Sequence, residues 1–195
     1  MNSSKYEYDY LEIYENMLSK ELCEQIIELF LNEKNKHDGY TSGGIKKEIK
    51  NTTDFHLKNN VTKEWIEIDK QLYDALNKCL TQYRDKYHAF KLFDKIDDTG
   101  FQVQRYLKNE GFYTYHNDFY IEKTKYRILT FLFYLNDVDE GGETEFFYGK
   151  VKVKPETGKC VLFPASWTFP HKAIMPISND KFIVTGWLHE FIDNK

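Results

Sequence analysis

What this chain lacks narrows its possible functions before any motif is read. It has only three cysteines, Cys23, Cys79 and Cys160, an odd and widely spaced set without a CxxC pair. That excludes a disulfide framework and points to a reducing compartment. No stretch is apolar for long enough to cross a bilayer, and the opening MNSSKYEYDYLEIYEN has no apolar core of a secretory leader. The expectation is a cytoplasmic protein with no membrane partner. No positive excess exists either: 27 Lys and Arg against 31 Asp and Glu leave a net charge of -4. No nucleic-acid partner is therefore expected. The one basic run, GGIKKEIK at 43–50, reads as a solvated loop or face. Repeats, low-complexity tracts and linkers are absent, and 195 residues at 41% hydrophobic suit one domain over 1–195.

What is present divides into two grammars. In the first, SKELCEQIIELFLNEKNK (19–36) offers Ser19 as an N-cap and Glu21 in the first turn. Leu22, Ile26, Ile27, Leu29 and Phe30 follow at helical spacing. A second helix runs from about Val61 toward His88, with Trp65, Ile68, Leu72, Leu76 and Leu80 on one face. The polar, glycine-bearing stretch between them reads as loop with at most a short strand. The second grammar begins at Phe101. FQVQRYL alternates, with Gln102, Gln104 and Tyr106 on one face, and RILTFLFYLNDV, EFFYG, KVKVKP, CVLFP and KFIVTGWLHEF follow as β-prone runs broken by turn residues. The fold class expected is α+β, with a helical flank over 1–95 and most of an antiparallel sandwich or barrel over 96–195.

Within that β region, YTYHNDFY sets His116 and Asp118 two apart among aromatic side chains. Six histidines and 31 acidic residues in 195 make about one such triplet expected by chance, so a hydrogen-bonded pair is the commoner reading of HxD alone. A third ligand on a distant strand would complete a facial triad and leave half of an octahedral iron(II) open. His171 is the natural candidate. Ten residues later stands Lys181, on the far arm of what reads as a hairpin turning at PISND, with Ile183 and Thr185 on its strand face. An α-keto acid chelating the metal would need a buried cation for its far carboxylate, and Lys181 supplies one. The charges of iron(II), Asp118, the dianion and Lys181 then sum to zero.

Taken in order, these motifs resemble the iron(II)- and 2-oxoglutarate-dependent dioxygenases, in particular their prolyl 4-hydroxylase-like branch. The resemblance rests on His116 and Asp118, RILTFLFYLNDVDEGGETEF from Arg127, ETGKCVLFP with Gly158, His171, Lys181, and GWLHE with Trp187. It covers about Phe101 to Phe191 and is loose before that. It implies a double-stranded β-helix, or jelly roll, with His116, Asp118 and His171 as iron ligands. It implies Lys181 as the partner of the distal 2-oxoglutarate carboxylate, with Thr144 and Tyr106 as further cosubstrate contacts. The register slips by one residue between Tyr106 and Tyr113, because Gly111 stands two rather than three positions before Tyr113. The implied reaction is hydroxylation of an unactivated C–H bond, with O2 as cosubstrate and ascorbate as accessory reductant. The implied substrate is a prolyl residue in a peptide or protein, with free amino acids and other small molecules as the alternative.

Other readings stay in view. A jelly-roll binding module without turnover would have no need of the triad plus lysine, and a cupin-type hydrolase would need neither Lys181 nor Thr144. Asp118 argues against the related halogenases, which carry a small residue there. His189 reads as a packed histidine, and His37, His56 and His88 have no partners at ligand spacing. Glu143 and Glu145 read as a solvated strand edge. Trp65 and Trp187 read as core, and Trp167, close before His171, as the tryptophan best placed for substrate.

Overall fold

The computed structural model describes residues 8–59, 62–93 and 96–191. Both helices start at side-chain caps, which satisfy first-turn amides that have no partner inside a helix. Ser19 accepts from the Leu22 amide at 3.2 Å and opens α1 (Lys20–Asn32), and Thr62 accepts from Trp65 at 3.4 Å and opens α2 (Lys63–Lys86). α1 stops short of the expected Lys36 because Glu33 is extended, with its carboxylate accepting from the Lys34 and Asn35 amides.

Fourteen strands follow one another along the described chain. In the first half these are β1 (Glu12–Tyr14), β2 (His37–Asp38), β3 (Lys50–Asn51) and β4 (Thr53–His56). Next come β5 (Ile96–Asp98), β6 (Gln102–Tyr106), β7 (Phe112–His116), β8 (Ile121–Glu122) and β9 (Lys125–Tyr134). The last are β10 (Thr144–Phe146), β11 (Val151–Val153), β12 (Cys160–Pro164), β13 (His171–Ala173) and β14 (Lys181–Phe191). They pair antiparallel into two facing sheets. The larger runs β1-β12-β9-β14-β6-β4-β2, with β5 also on β14 and β8 on β9; the smaller runs β11-β10-β13-β7-β3. This is the α+β jelly roll.

Alternation along β9 shows how the layers form. Leu129, Phe131 and Phe133 face the helices, packing with Ile26, Phe30, Trp65 and Leu72. Leu132 and Tyr134 face the space between the sheets, with Phe146, Val153 and Phe163. Because both faces of β9 are covered from Leu129 on, its second half is almost continuously apolar. Phe131 and Phe133 are fully buried, each contributing about 2–3 kcal/mol of transfer free energy.

Two expectations are corrected here. The first half is not only a helical flank: β1 pairs with β12, β3 with β7 and β4 with β6, so it completes both sheets. These strands are two to four residues long in polar sequence, so their partners rather than local propensity define them. The second concerns β13 and β14, which do not form a hairpin. β13 pairs with β7 and β10 in the small sheet, whereas β14 pairs with β5, β6 and β9 in the large one. The 174–180 segment instead crosses between sheets, pinned where Ile177 donates to the Glu140 carbonyl (2.8 Å) and Arg105 pairs with Asp180 (2.6 Å). His171 and Lys181 therefore face each other across the interior. Among the described residues no helix is long and apolar enough to cross a membrane.

Candidate active site

The space between the sheets opens into a cavity of about 620 Å³. His116 ends β7 and His171 begins β13, and the two are directly paired across the strands. Asp118 follows two residues after the strand end, in the connection toward β8, and its side chain returns toward both histidines. His116 Nε2 lies 3.7 Å from Asp118 Oδ1 and His171 Nε2 lies 3.5 Å from Oδ2. These separations are too long for hydrogen bonds. Yet one ligand atom from each of the three lies within 4.8 Å of the others, close enough to share one ion.

The surroundings aim all three groups. His116 Nδ1 lies 2.8 Å from the Thr114 carbonyl and His171 Nδ1 lies 3.0 Å from the Phe169 carbonyl. A carbonyl can only accept, so each Nδ1 carries the proton and each Nε2 lone pair is left for a metal. Thr130 Oγ1 donates to Asp118 Oδ2 at 2.8 Å. Tyr113 stacks on the His116 ring at 3.6 Å between centroids. Burial and the neighbouring His171 push His116 down to about 3, so it stays neutral as a ligand must. Burial raises Asp118, but His171, His116, the Thr130 hydroxyl and Arg127 outweigh it and hold the carboxyl below the usual range.

Deeper in the cavity, on β14, lies Lys181. Its side chain is fully buried, and its Nζ has no hydrogen-bond partner among the described residues. The nearest π faces are those of Tyr106 at 5.0 Å and Tyr134 at 5.4 Å. A buried unpaired ammonium is costly. Burial accordingly pushes Lys181 down to about 7, against a smaller opposing pull from Glu143. An anionic group placed beside it would satisfy the charge. Ile183 and Thr185, on the same face of β14, also line the cavity. Beside them Thr144 accepts from the Tyr134 hydroxyl at 2.7 Å, which leaves its own proton to give to a ligand. Tyr106 is the cross-strand partner of Lys181, and its hydroxyl donates to Gln104 Oε1 at 2.9 Å. Gly111 packs where an added Cβ would meet the Tyr106 Cα at 2.5 Å, so the turn after β6 folds tightly under that tyrosine.

The residues from 101 to 189 match the family model described as the 2OG-Fe(II) oxygenase superfamily. That match and the relatives below support a 2OG-Fe(II) oxygenase of the prolyl 4-hydroxylase-like kind. The chain is accordingly an enzyme that uses iron(II) and 2-oxoglutarate. The oxygenase is 28% identical over 214 residues to probable prolyl 4-hydroxylase 10 of Arabidopsis thaliana, an alignment spanning 92% of this chain and 69% of the relative. Its fold is shared with the 2OG complex of viral collagen prolyl hydroxylase vCPH from Paramecium Bursaria Chlorella virus-1. The TM-score there is 0.70 at 21% identity, covering 93% of this chain and 97% of the other. It is shared too with a prolyl hydroxylase from Trichoplax adhaerens in complex with a hypoxia inducible factor peptide fragment. That TM-score is 0.74 at 19% identity, covering 93% and 84%.

Several residues around the oxygenase's cavity escape sequence reading. Trp187 is not core: it lines the cavity, with the Arg127 guanidinium 3.5 Å from its ring centroid. Arg127 also donates weakly to the Asp118 carbonyl at 3.4 Å, and its Nε is buried without a hydrogen-bond partner among the described residues. His56, given no role above, lines the cavity with Lys50, Gln102 and Gln104. Trp167, by contrast, is 76% exposed and lies outside it. Of the aromatic run, Tyr113, Phe119 and Tyr120 line the cavity, whereas Tyr115 turns away and bonds Glu145. Glu145 is buried, not solvated, and also pairs with Lys152 (3.3 Å) and Lys172 (3.0 Å). His189 is packed at 1% exposure.

Proposed function

We propose that the chain is one catalytic domain that hydroxylates a prolyl residue in a peptide or protein. His116, Asp118 and His171 hold the iron, Lys181 receives the distal 2-oxoglutarate carboxylate, and Thr144 bonds the same cosubstrate, while Tyr106, expected to do likewise, lines its pocket with its proton given to Gln104. The observation that carries this reading is the orphaned Nζ of Lys181, a buried cation in the same cavity as three converging metal-ligand atoms. When bound, iron(II) and 2-oxoglutarate supply oxygen activation, coupled to decarboxylation of the keto acid to succinate and CO2.

The protein's own residues do the rest. The Thr114 and Phe169 carbonyls hold both imidazoles in the ligating tautomer. Thr130 keeps one Asp118 oxygen occupied and so fixes the carboxylate plane. Thr144 donates toward the cosubstrate while its oxygen accepts from the Tyr134 hydroxyl. Leu132, Phe163 and Ile183 line the cosubstrate end and exclude water from it. A peptide substrate is supported by what the relatives are named for and by the mouth, where Tyr40, Phe119 and Tyr120 are 51%, 51% and 43% exposed on a cavity larger than the cosubstrate needs.

The test is coupled turnover. With iron(II), 2-oxoglutarate, ascorbate and air, a proline-rich peptide should yield hydroxyproline and succinate in equal amounts. Hydroxylation of free L-proline with none of the peptide would contradict the polypeptide reading.

A further inference from the structure

The inner face of the large sheet turns polar at its β4–β6 end. Asp54 lies opposite Gln104 and His56 opposite Gln102 in the strand register, all on the cavity side of the sheet. Gln102 and Gln104 are 5% and 4% exposed, and both line the cavity. An interior face so placed is ordinarily apolar, and each buried amide must find partners.

The partners form a chain with one direction. Lys50 Nζ donates to Asp54 Oδ2 at 2.6 Å, in an ion pair whose side chains are 5% and 0% exposed. Gln102 Nε2 donates to the same Oδ2 at 3.3 Å and lies 3.0 Å from His56 Nε2, which uses both of its protons. Gln102 Oε1 is thereby turned to accept from Gln104 Nε2 at 2.7 Å, and Gln104 Oε1 accepts from the Tyr106 hydroxyl at 2.9 Å. A carboxylate can only accept, so Asp54 fixes the orientation of both carboxamides. Once these bonds are counted, Gln104 keeps one N–H and one lone pair without a described partner, on the cavity wall.

We propose that Gln104, its amide orientation locked by Gln102 and the Lys50–Asp54 pair, is a specificity-determining contact for a peptide amide of the substrate. A donor beside an acceptor is the complement of an amide. The wall carries no net charge, since Lys50 already neutralises Asp54, so a neutral group enters it at lower desolvation cost than an ion. The proposal rests on the polypeptide reading above. It adds that an amide flanking the reacting residue, not only the reacting ring, is read by this protein.

The test measures binding without turnover. The protein loaded with Mn(II) and 2-oxoglutarate is titrated with a capped proline-rich peptide, as wild type, Gln104→Met and Gln104→Glu. Methionine keeps the volume and removes both hydrogen-bonding functions, whereas glutamate keeps acceptors and loses the N–H. Both variants should weaken peptide binding roughly tenfold, with thermal midpoints showing that they fold. Wild-type peptide affinity in both folded variants overturns the proposal while leaving the polypeptide reading intact. A wild type that binds free L-proline but not the capped peptide overturns both. Should Gln104→Met fail to fold, Gln104→Glu alone decides, since unchanged affinity there excludes the N–H contact.

Discussion

Lys181 carries a pH signature that separates a cosubstrate anchor from a packed lysine. In the free protein burial holds it near 7, against about 10.4 in an unfolded chain. Between those values the unfolded chain binds the proton that the folded one has released. Stability therefore rises with pH through that window and is lost as pH falls toward 7. A dianion bound beside Nζ restores the proton. At pH 8, calorimetry in buffers of differing ionisation enthalpy should show 2-oxoglutarate binding with uptake of close to one proton, absent in Lys181→Met. Buffer-independent heats would contradict the assignment. Thr130 offers a second test at this scale: Thr130→Val removes the 2.8 Å bond to Asp118 and should lower iron affinity about 10-fold or more in a competitive chelator titration. Sequence spacing and the family resemblance bring His116, Asp118, His171 and Lys181 forward as candidates, and the fold brings all four to one cavity. The sequence is silent on Thr130, whose role depends on a carboxylate twelve residues away returning across the sheet.

At the scale of elements, the legible parts are those with strong local periodicity. α1, α2, β6 and β9 declare themselves through caps, a 3.6 repeat or alternation. β3 and β4 do not, because the chain changes sheets at Thr52 between them. That switch sets Lys50 on the small sheet against Asp54 on the large one, so the basic run 43–50, expected as a solvated loop or face, ends in a buried lysine. Lys50→Met strands the Asp54 carboxylate and should destabilise by about 3–5 kcal/mol in urea unfolding. The double change Lys50→Met with Asp54→Leu should recover much of that. The PISND turn misleads for a related reason: turn residues specify reversal, not which sheet the next strand joins. Gly158 illustrates a constraint between elements. It has φ +80, and an added Cβ would lie 2.3 Å from the Leu18 carbonyl. Its own carbonyl accepts from Met17 and Leu18, tying the segment before α1 to the turn before β12. Gly158→Ala should cost roughly 1–3 kcal/mol, seen as a lowered thermal midpoint.

Across the whole molecule, two sheets and a helical layer place one metal-ligand cluster and one buried cation at different depths of a single cavity. The large sheet holds Lys181 and Tyr106, the small sheet His116 and His171, and Asp118 stands in the connection between β7 and β8. Neither sheet alone contains a site, which is why the function belongs to the assembled jelly roll. The most direct test is an anaerobic titration of iron(II) and 2-oxoglutarate followed by visible absorption. The wild type should develop a weak metal-to-ligand charge-transfer band. Lys181→Ala should keep its iron but need far more 2-oxoglutarate to reach the band, and His171→Ala should lose both metal and band. A wild type with no band and no succinate in air, or a Lys181→Ala protein with unchanged 2-oxoglutarate affinity, would contradict the account.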